Sequence, residues 1–438
     1  MSSRRLISII FLLFLFSLFK VGFCQKNNKL YKCGVNEDTI KPIVGQRIPF
    51  NDSELLKRKR NLDSDGFKDF KIYFDPVNLI NDINIYNLTQ YQDLFLNGIQ
   101  HVIETLQKLL RVKPLQDEYI IDDITMKSMY IDKWDTELFG TDNLTEGVKM
   151  SELGYDLIIF GRLDDLGGST LESAGVRRVA LDGRPYVGLV DINYDVDYSY
   201  GKSQEYFESI IIHEFTHILG FADFFFRNFF DNVFWKIDSY GINRAYINST
   251  KVVEVARKYF DCPSLEGVPL EEYGGSGTVG SHWEAKVLLG DYMNGYIHGE
   301  EQVISEFTLA LLEDSGYYKV NYYTGGLMRY GKHKGCSFVL NDCVDRTNHS
   351  INPLFENEFF DSIFSSGEYD PSCSSGRLSR TYFFFETHSN LSESYIYFED
   401  KTIGGLAPAD YCPVAQGIAG YGANAYYSYQ CSEKGTRD

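Results

Sequence analysis

The sequence is short of positive charge and, beyond its first 20 residues, has no long apolar run. Lys and Arg number 42 against 61 Asp and Glu in 438 residues, a formal net charge of -19. Such an acidic surface repels phosphate backbones and anionic lipid headgroups, which excludes nucleic acid as a partner. A membrane-spanning helix needs roughly 20 apolar residues, and residues 431–438 offer no hydrophobic tail for a lipid anchor. We therefore expect a mature chain without a transmembrane helix or a lipid-anchor signal.

The single long apolar run, residues 6–19, follows Arg4 and Arg5 and precedes the small residues Gly22 and Cys24. This order is typical of a secretory signal peptide, and the run is too short for a membrane anchor. We predict a signal peptide over residues 1–24 and a secreted or lumenal protein. Glycosylation sequons fit this route, and they lie at Asn51, Asn87, Asn143, Asn248, Asn348 and Asn390.

Cysteine is absent between residues 34 and 261, although the chain has eight in all. With Cys24 in the signal peptide, an odd number remains, which leaves one thiol without an intramolecular partner. Cys33 is the outlier, because the other six lie from Cys262 onward. Residues 57–60, Lys-Arg-Lys-Arg, are of the kind at which secreted precursors are processed, although such a run can also be a solvated charge cluster. We predict a propeptide over residues 25–60 and three disulfides among the six later cysteines.

Hydrophobic periodicity predicts an α+β fold. Residues 70–74 alternate with period two, and residues 157–160 and 186–192 form further apolar runs, so all three are predicted strands. Apolar residues recur at helical spacing from Phe95 to Leu110, which predicts a long helix packed on the sheet. Strands mixed with a few long helices argue against a regular βαβ winding.

A metal-binding pattern occupies the next apolar helical segment. In His213-Glu-Phe-Thr-His217, positions i and i+4 project from one helix face, so both imidazoles can bind one metal ion. Glu214 is turned enough to address a water on that metal instead. Neutral imidazoles suit zinc, which keeps one position open and lowers the pKa of its water to about 7. The alternative is a pair of core histidines in an apolar helix.

Two residues compete for the third ligand position. Gly220 stands where an extended zinc motif turns its chain, and Asp223 then occupies the position of the last ligand. His282 instead ends a glycine-rich segment whose flexibility can deliver an imidazole from a distant loop. Met293 follows in Asp291-Tyr-Met293, and a Met in a tight turn below the metal is typical of metzincins. A Met at this position can equally be an ordinary core residue.

Several motifs follow one another in order over most of residues 67–438, namely Gly183-Arg-Pro-Tyr-Val-Gly-Leu-Val-Asp-Ile-Asn193, His213-Glu-Phe-Thr-His-Ile-Leu-Gly-Phe221, Cys262-Pro-Ser-Leu-Glu266, Tyr273-Gly-Gly-Ser-Gly-Thr-Val-Gly-Ser-His-Trp-Glu284, Gly335-Cys-Ser-Phe-Val-Leu-Asn-Asp-Cys343 and Asp410-Tyr-Cys-Pro413. In them the chain resembles the leishmanolysin peptidases, zinc endopeptidases of the metzincin clan. In that family the third ligand is displaced by a long insertion, which favours His282 over Asp223. The turn reads Asp291-Tyr-Met293 where the family commonly has Glu-Leu-Met, and the disulfides of the family's N-terminal part are absent.

The resemblance implies a metzincin-like catalytic domain with a mixed twisted sheet and a zinc helix, followed by a disulfide-bonded C-terminal domain. We place an N-terminal subdomain at residues 61–222, a central subdomain at 223–341 and a C-terminal domain at 342–438. It also implies Met293 as the Met-turn residue and Cys33 as an inhibitory thiolate on the metal, against the alternative of an intermolecular disulfide or an idle thiol. The implied disulfides are Cys262 with Cys336, Cys343 with Cys412, and Cys373 with Cys431.

The resulting expectation is a secreted metalloendopeptidase that binds one Zn2+ per chain through His213, His217 and His282. Glu214 would act as general base, and we expect a monomer whose protein or peptide substrates lie extended along an edge strand at residues 186–192. Two other classes remain open. One is a catalytically silent adhesion or binding glycoprotein of the same fold, and the other is a structural secreted glycoprotein with a fortuitous motif.

Overall fold

The computed structural model describes residues 42–51, 53, 62–140, 144–167, 170–196, 198, 204–238, 241–274, 278–296, 302–322, 328–355, 358–359, 372–373, 380–382, 386–414 and 416–417. The predicted signal peptide, Cys33, the basic stretch at residues 57–60 and Cys431 lie outside these residues. The boundaries of the three predicted subdomains remain predictions.

The described residues form helices and many short strands, as the predicted α+β class requires. The helices are α1 Val77–Ile85, α2 Gln92–Leu109, α3 Asp123–Ser128, α4 Thr136–Phe139, α5 Met150–Leu153, α6 Gln204–Ile218, α7 Asp223–Phe225, α8 Thr250–Phe260, α9 Ala285–Leu288, α10 Glu306–Asp314 and α11 Cys336–Leu340. The strands are β1 Ile43–Val44, β2 Arg47–Ile48, β3 Lys68–Asp69, β4 Ile72–Asp75, β5 Leu110–Val112, β6 Glu118–Ile121, β7 Val148–Lys149, β8 Leu157–Asp164, β9 Glu172–Val179, β10 Pro185–Asn193, β11 Val233–Ile237, β12 Asn243–Ile247, β13 Val268–Pro269, β14 Tyr318–Val320, β15 Val344–Asp345, β16 Ser350–Ile351, β17 Ser372–Cys373, β18 Arg380–Tyr382, β19 Glu386–Thr387, β20 Ile403–Gly404 and β21 Gln416–Gly417.

The largest described sheet has the order β1-β9-β10-β8-β4. Strand β10 pairs in parallel with β8 and antiparallel with β9, and β4 and β1 add in parallel to the two sides. The prediction that residues 186–192 form an edge strand is therefore wrong, because β10 lies between two neighbours. All nine of its residues are buried, and an uninterrupted apolar run is the pattern of a central strand covered on both faces.

Helices α2 and α6 pack on this sheet and on each other. Helix α2 buries the periodic apolar residues of the predicted helix, including Phe95, Ile99 and Leu106, and its chain passes directly into β5 at Leu110. Helix α6 lies close to β10, since a Cβ on Gly188 would stand only 2.4 Å from Ile218 Cγ2. Glycine at this position therefore lets the helix approach the sheet.

The segment Gln204–Phe230, which contains α6 and α7, is the one stretch of the described residues long and apolar enough to cross a membrane. Of its most apolar window, 83% is buried inside the protein. Its apolar character is therefore explained by packing in the core, where it contacts the sheet and α2.

The later part of the chain is tied to the earlier part by a shared core and by disulfides. One hydrophobic cluster contains side chains from Phe70 to Val414. Disulfides join Cys262 to Cys336 and Cys343 to Cys412, which are two of the three pairings implied by the family resemblance. The partner predicted for Cys373 lies outside the described residues.

Candidate metal centre

Helix α6 carries His213 and His217 one turn apart on the same face, as the i, i+4 spacing predicts. Both side chains are buried, and their Nε2 atoms lie 3.1 Å apart. Just beyond the helix, Gly220 has φ +111°, a conformation that L side chains rarely adopt. The turn brings the Phe221 carbonyl back onto His217, where it accepts from Nδ1 at 2.6 Å.

The third histidine arrives from a segment far along the chain. His282 is fully buried, and its Nε2 lies 3.2 Å from Nε2 of both His213 and His217. Backbone hydrogen bonds hold this segment, because Glu271 N donates to the His282 carbonyl at 3.0 Å and Trp283 N donates to the Met293 carbonyl at 3.0 Å. The structure thus brings together the three histidines of the sequence prediction.

Each imidazole is oriented through its other nitrogen by a backbone carbonyl. His213 Nδ1 faces the Tyr292 carbonyl at 2.5 Å, and His282 Nδ1 faces the Thr278 carbonyl at 2.9 Å. A carbonyl oxygen only accepts, so Nδ1 carries the proton in each ring and Nε2 carries a lone pair. Three lone pairs therefore converge at the centre of the cluster.

Burial keeps these rings neutral. It lowers the pKa of His213 to about 4, lowers that of His282 to about 3, and holds that of His217 well below its ordinary value. Each neutral ring has a single proton, which Nδ1 carries, so none lies between the Nε2 atoms. Three hydrogen-bond acceptors therefore face one another at 3.1–3.2 Å. A cation between them resolves this contact, and three neutral imidazoles are a donor set that suits zinc.

The competing ligand candidate, Asp223, points elsewhere. Its carboxylate accepts from Arg227 Nε at 2.5 Å, and its backbone N–H donates to Ser281 Oγ at 3.1 Å. Among the described residues, His213, His217 and His282 form a group whose ligand atoms could surround one ion, and Asp223 does not belong to any such group. Glu214, the candidate general base, is buried on helix α6 between His213 and His217.

A tight turn at residues 291–294 lies against His213. Asp291 Oδ1 accepts from Met293 N at 2.6 Å, and the Asp291 carbonyl accepts from Asn294 N at 3.1 Å. Met293 is fully buried, so its side chain contributes packing. Tyr292 joins the turn to helix α6 twice, through its carbonyl on His213 and through its hydroxyl, which lies 2.9 Å from Thr216 Oγ1.

Sequence reasoning missed these orienting groups. A carbonyl has no side-chain signal, so neither Phe221 nor Thr278 could be identified from residue type. Tyr292 was recognisable in the sequence only as a departure, because Tyr stands there in place of the Leu that the resembled family commonly has. Its hydroxyl now has a partner in Thr216, inside the motif itself.

Comparison with known protein families gives consistent matches. The sequence model of a family described as leishmanolysin matches residues 89–434. A leishmanolysin-like peptidase of Drosophila pseudoobscura pseudoobscura is 34% identical over 199 residues, which cover 42% of this chain and 28% of that protein. Leishmanolysin of Leishmania major is 28% identical over 241 residues, 53% of this chain and 37% of its own length.

A third relative gives the longest of these three alignments. Leishmanolysin of Leishmania chagasi is 26% identical over 306 residues, which cover 65% of this chain and 47% of that protein. The chain therefore spans less than half the length of each of these relatives.

Proposed function

The chain belongs to the leishmanolysin family, and from this premise we propose that it is a zinc-dependent endopeptidase that hydrolyses peptide bonds in proteins. The observation that carries the proposal is the convergence of three imidazole Nε2 atoms within 3.2 Å of one another, with Glu214 buried on the helix that carries His213 and His217. We further propose one zinc ion per chain, with His213, His217 and His282 as its ligands.

A bound zinc ion would supply a water of lowered pKa and polarise the scissile carbonyl. The three histidines would hold it through Nε2, while the carbonyls of Tyr292, Phe221 and Thr278 fix the rings. Such backbone partners at Nδ1 also increase the basicity of the ligating nitrogen.

Glu214 is the proposed general base. Its carboxylate would take a proton from the attacking water and return it to the leaving amine, as a buried carboxylate within reach of both can do. Helix α6 fixes its backbone one residue after His213, so base and ligand would move as one unit. Met293 would support the ligands without touching the substrate.

We propose that the substrate binds extended along β9, in place of residues 186–192, which the sequence analysis expected to be the edge strand. Within the described residues, β9 is the outer neighbour of β10, and β1 pairs with it only at Arg178 and Val179. Helix α6 packs on β9, which sets the strand beside the metal-binding helix. Main-chain pairing along an edge gives affinity with little demand on substrate sequence.

A secretory location is also proposed. Disulfides persist in oxidising compartments, and the structure contains two of them. Sequon asparagines lie at exposed positions, as glycan attachment requires, at Asn51, Asn87, Asn248, Asn348 and Asn390. The signal peptide, the propeptide and the inhibitory role of Cys33 remain proposals that rest on the sequence.

Zinc content measured together with proteolysis tests the proposed function. The purified chain, processed at the basic stretch, should contain one zinc per chain and cleave casein, and a chelator should abolish both. Restoring zinc should restore cleavage. A chain that binds zinc at this ratio and never cleaves protein would instead be a silent binding protein of the same fold.

A further inference from the structure

A group of acidic side chains, most of them in the segments that flank His282, lies apart from the histidine cluster. It consists of Glu271, Glu272, Glu284 and Asp410, here named the acidic cluster. Glu271, Glu284 and Asp410 are 4% exposed or less, and the side chain of Glu272 is 13% exposed. One carboxylate oxygen from each of the three glutamates lies within 4.8 Å of the others.

The basic residues of this region neutralise the acidic cluster only in part. Arg244 donates to Glu272 at 2.6 Å, to Glu284 at 3.0 Å and to Asp410 at 2.5 Å. Lys286 Nζ lies 3.9 Å from Asp410. If all four carboxylates were ionised, two negative charges would exceed those that Arg244 and Lys286 offset. Uncompensated buried charge costs several kcal/mol per ion, so the acidic cluster must either bind a cation or take up protons.

Glu271 is the residue that points to a ligand. Its Oε1 accepts from Tyr273 N at 2.8 Å, whereas its Oε2 is buried and has no hydrogen-bond partner among the described residues. The ion pairs of the described residues include Glu272, Glu284 and Asp410, and none of them includes Glu271. Its carboxylate nevertheless lies against those of Glu272 and Glu284. Glu271 therefore places a carboxylate that is 98% buried, with one oxygen lacking a hydrogen-bond partner among the described residues, close to two further carboxylates. Burial of such a group is costly unless a cation or a proton compensates it.

We propose that Glu271, Glu272 and Glu284 hold a divalent cation of the calcium class, distinct from the zinc site. An all-oxygen, carboxylate-rich set favours a hard cation over zinc. Ligands at about 2.3–2.6 Å from calcium place neighbouring oxygens a few ångström apart, which agrees with the 4.8 Å limit on the three glutamate oxygens. The two positive charges of the cation would also balance the two negative charges that Arg244 and Lys286 do not offset.

Calcium is favoured over magnesium because magnesium retains most of its waters and seldom accepts a cage of protein carboxylates. The partly exposed Glu272 gives the ion a way in from solvent. Extracellular calcium sites bind at about 10⁻⁴–10⁻³ M, so a site of this kind would be filled outside the cell.

The position of the site suggests what the cation does. Glu271 donates its backbone N–H to the His282 carbonyl and accepts from Gly280 N at 2.8 Å, so it brackets the third histidine. Glu284 follows His282 by two residues. A cation joining these two carboxylates would fix the backbone on both sides of His282 and couple it to Asp410 through Arg244.

Terbium luminescence tests the site without reference to proteolysis. Tyr395 donates its hydroxyl to Glu272 Oε1 at 3.2 Å, so excitation of tyrosine should sensitise Tb3+ bound there. In the full chain loaded with zinc, we expect saturable luminescence that calcium displaces. Glu271→Gln should lose it, and the control Glu266→Gln should keep it, because Glu266 is exposed and pairs only with Lys236 across 3.8 Å. Unsaturable luminescence, or the same signal in Glu271→Gln, would overturn the proposal.

Thermal unfolding separates loss of the site from loss of the fold. Glu271→Gln keeps an oxygen for Tyr273 N and removes a buried charge, so without calcium it should melt at or above the temperature of the wild type. Millimolar calcium should raise the melting temperature of the wild type and of Glu266→Gln, and leave Glu271→Gln unchanged. A wild type that calcium does not stabilise would show that protons neutralise the acidic cluster.

Discussion

Single residues at the metal centre differ in what fixes them. His213 and His217 are placed by one helix, whereas His282 depends on hydrogen bonds from Glu271 and Trp283 that join distant segments. The i, i+4 pair could therefore be predicted from spacing alone. The residues left His282 and Asp223 as alternatives, and only family resemblance favoured His282, because a loop contact across 65 residues leaves no periodic trace.

Substitution of the competing ligands follows from this difference. We expect His282→Ala to lower zinc affinity by more than the 10–100-fold typical of losing an outer partner, because it removes a direct donor. Asp223→Ala should leave zinc affinity close to that of wild type, since its carboxylate is occupied by Arg227. Competition with a fluorescent zinc chelator measures both, and the reverse ranking would make Asp223 the ligand.

Asp291, in the turn that contacts His213, gives a prediction on pH. Burial raises its pKa to about 6 from an ordinary 3.8. The folded chain therefore holds this proton over a range in which the unfolded chain has lost it, so Asp291 costs no stability below about pH 4 and its full cost is present above about pH 6.

The free energy of unfolding of the metal-free wild type, relative to Asp291→Asn, should thus fall as pH rises from about 4 to about 6, by at most about 3 kcal/mol. Denaturant unfolding of both chains across this range measures the difference. The constant cost of losing the carboxylate's bonds to Ser305 and Thr308 cancels from the slope. A difference that is flat with pH would mean that the Asp291 carboxyl titrates normally.

Among the elements, long and strongly periodic segments were predictable and short ones were not. Helix α2 and strands β4, β8 and β10 all lie where their patterns place them, with shifts of a few residues at the ends. The position of β10 within the sheet was mistaken, because strand order depends on pairing between distant segments. The two- and three-residue strands carry too few residues for a period to appear.

Strand β12 is tied to the loop before Cys412 by the ion pairs of Arg244. Arg244→Ala should destabilise the chain by about 3–5 kcal/mol in calcium-free buffer, because it leaves buried carboxylates unpaired. The matched control is Arg227→Ala, which breaks the ion pair with Asp223. The Arg227 side chain is 47% exposed, so this change should lower the free energy of unfolding by about 1 kcal/mol or less. Denaturant unfolding measures both variants. Equal losses of unfolding free energy would mean that Arg244 does not tie β12 to the loop before Cys412.

The later residues of the chain complete the fold of the earlier ones. The core runs from Phe70 to Val414, and the two disulfides each join residues about 70 positions apart. The sequence could predict that six cysteines pair, but the choice of partners came from family resemblance. Pairing is decided by which segments meet in space, and spacing along the chain does not record that.

Peptide mapping under non-reducing conditions should recover Cys262 linked to Cys336 and Cys343 linked to Cys412. The same digest should contain Cys373 linked to Cys431, the pairing that stays a prediction. Replacing both cysteines of either of the first two disulfides by serine should lower the free energy of unfolding by about 2–5 kcal/mol, since each disulfide closes a long loop. A peptide joining Cys336 to Cys343 would contradict the arrangement.

In the proposed function, Glu214 serves as the base of a zinc peptidase while the three histidines hold the metal. Its most direct test is zinc content and peptide hydrolysis measured together for Glu214→Gln, a change that keeps the size of the side chain. We expect one zinc per chain, as in wild type, with hydrolysis lower by about 10²–10⁴. A Glu214→Gln chain that retains zinc and cleaves peptides at the wild-type rate would contradict this role of Glu214.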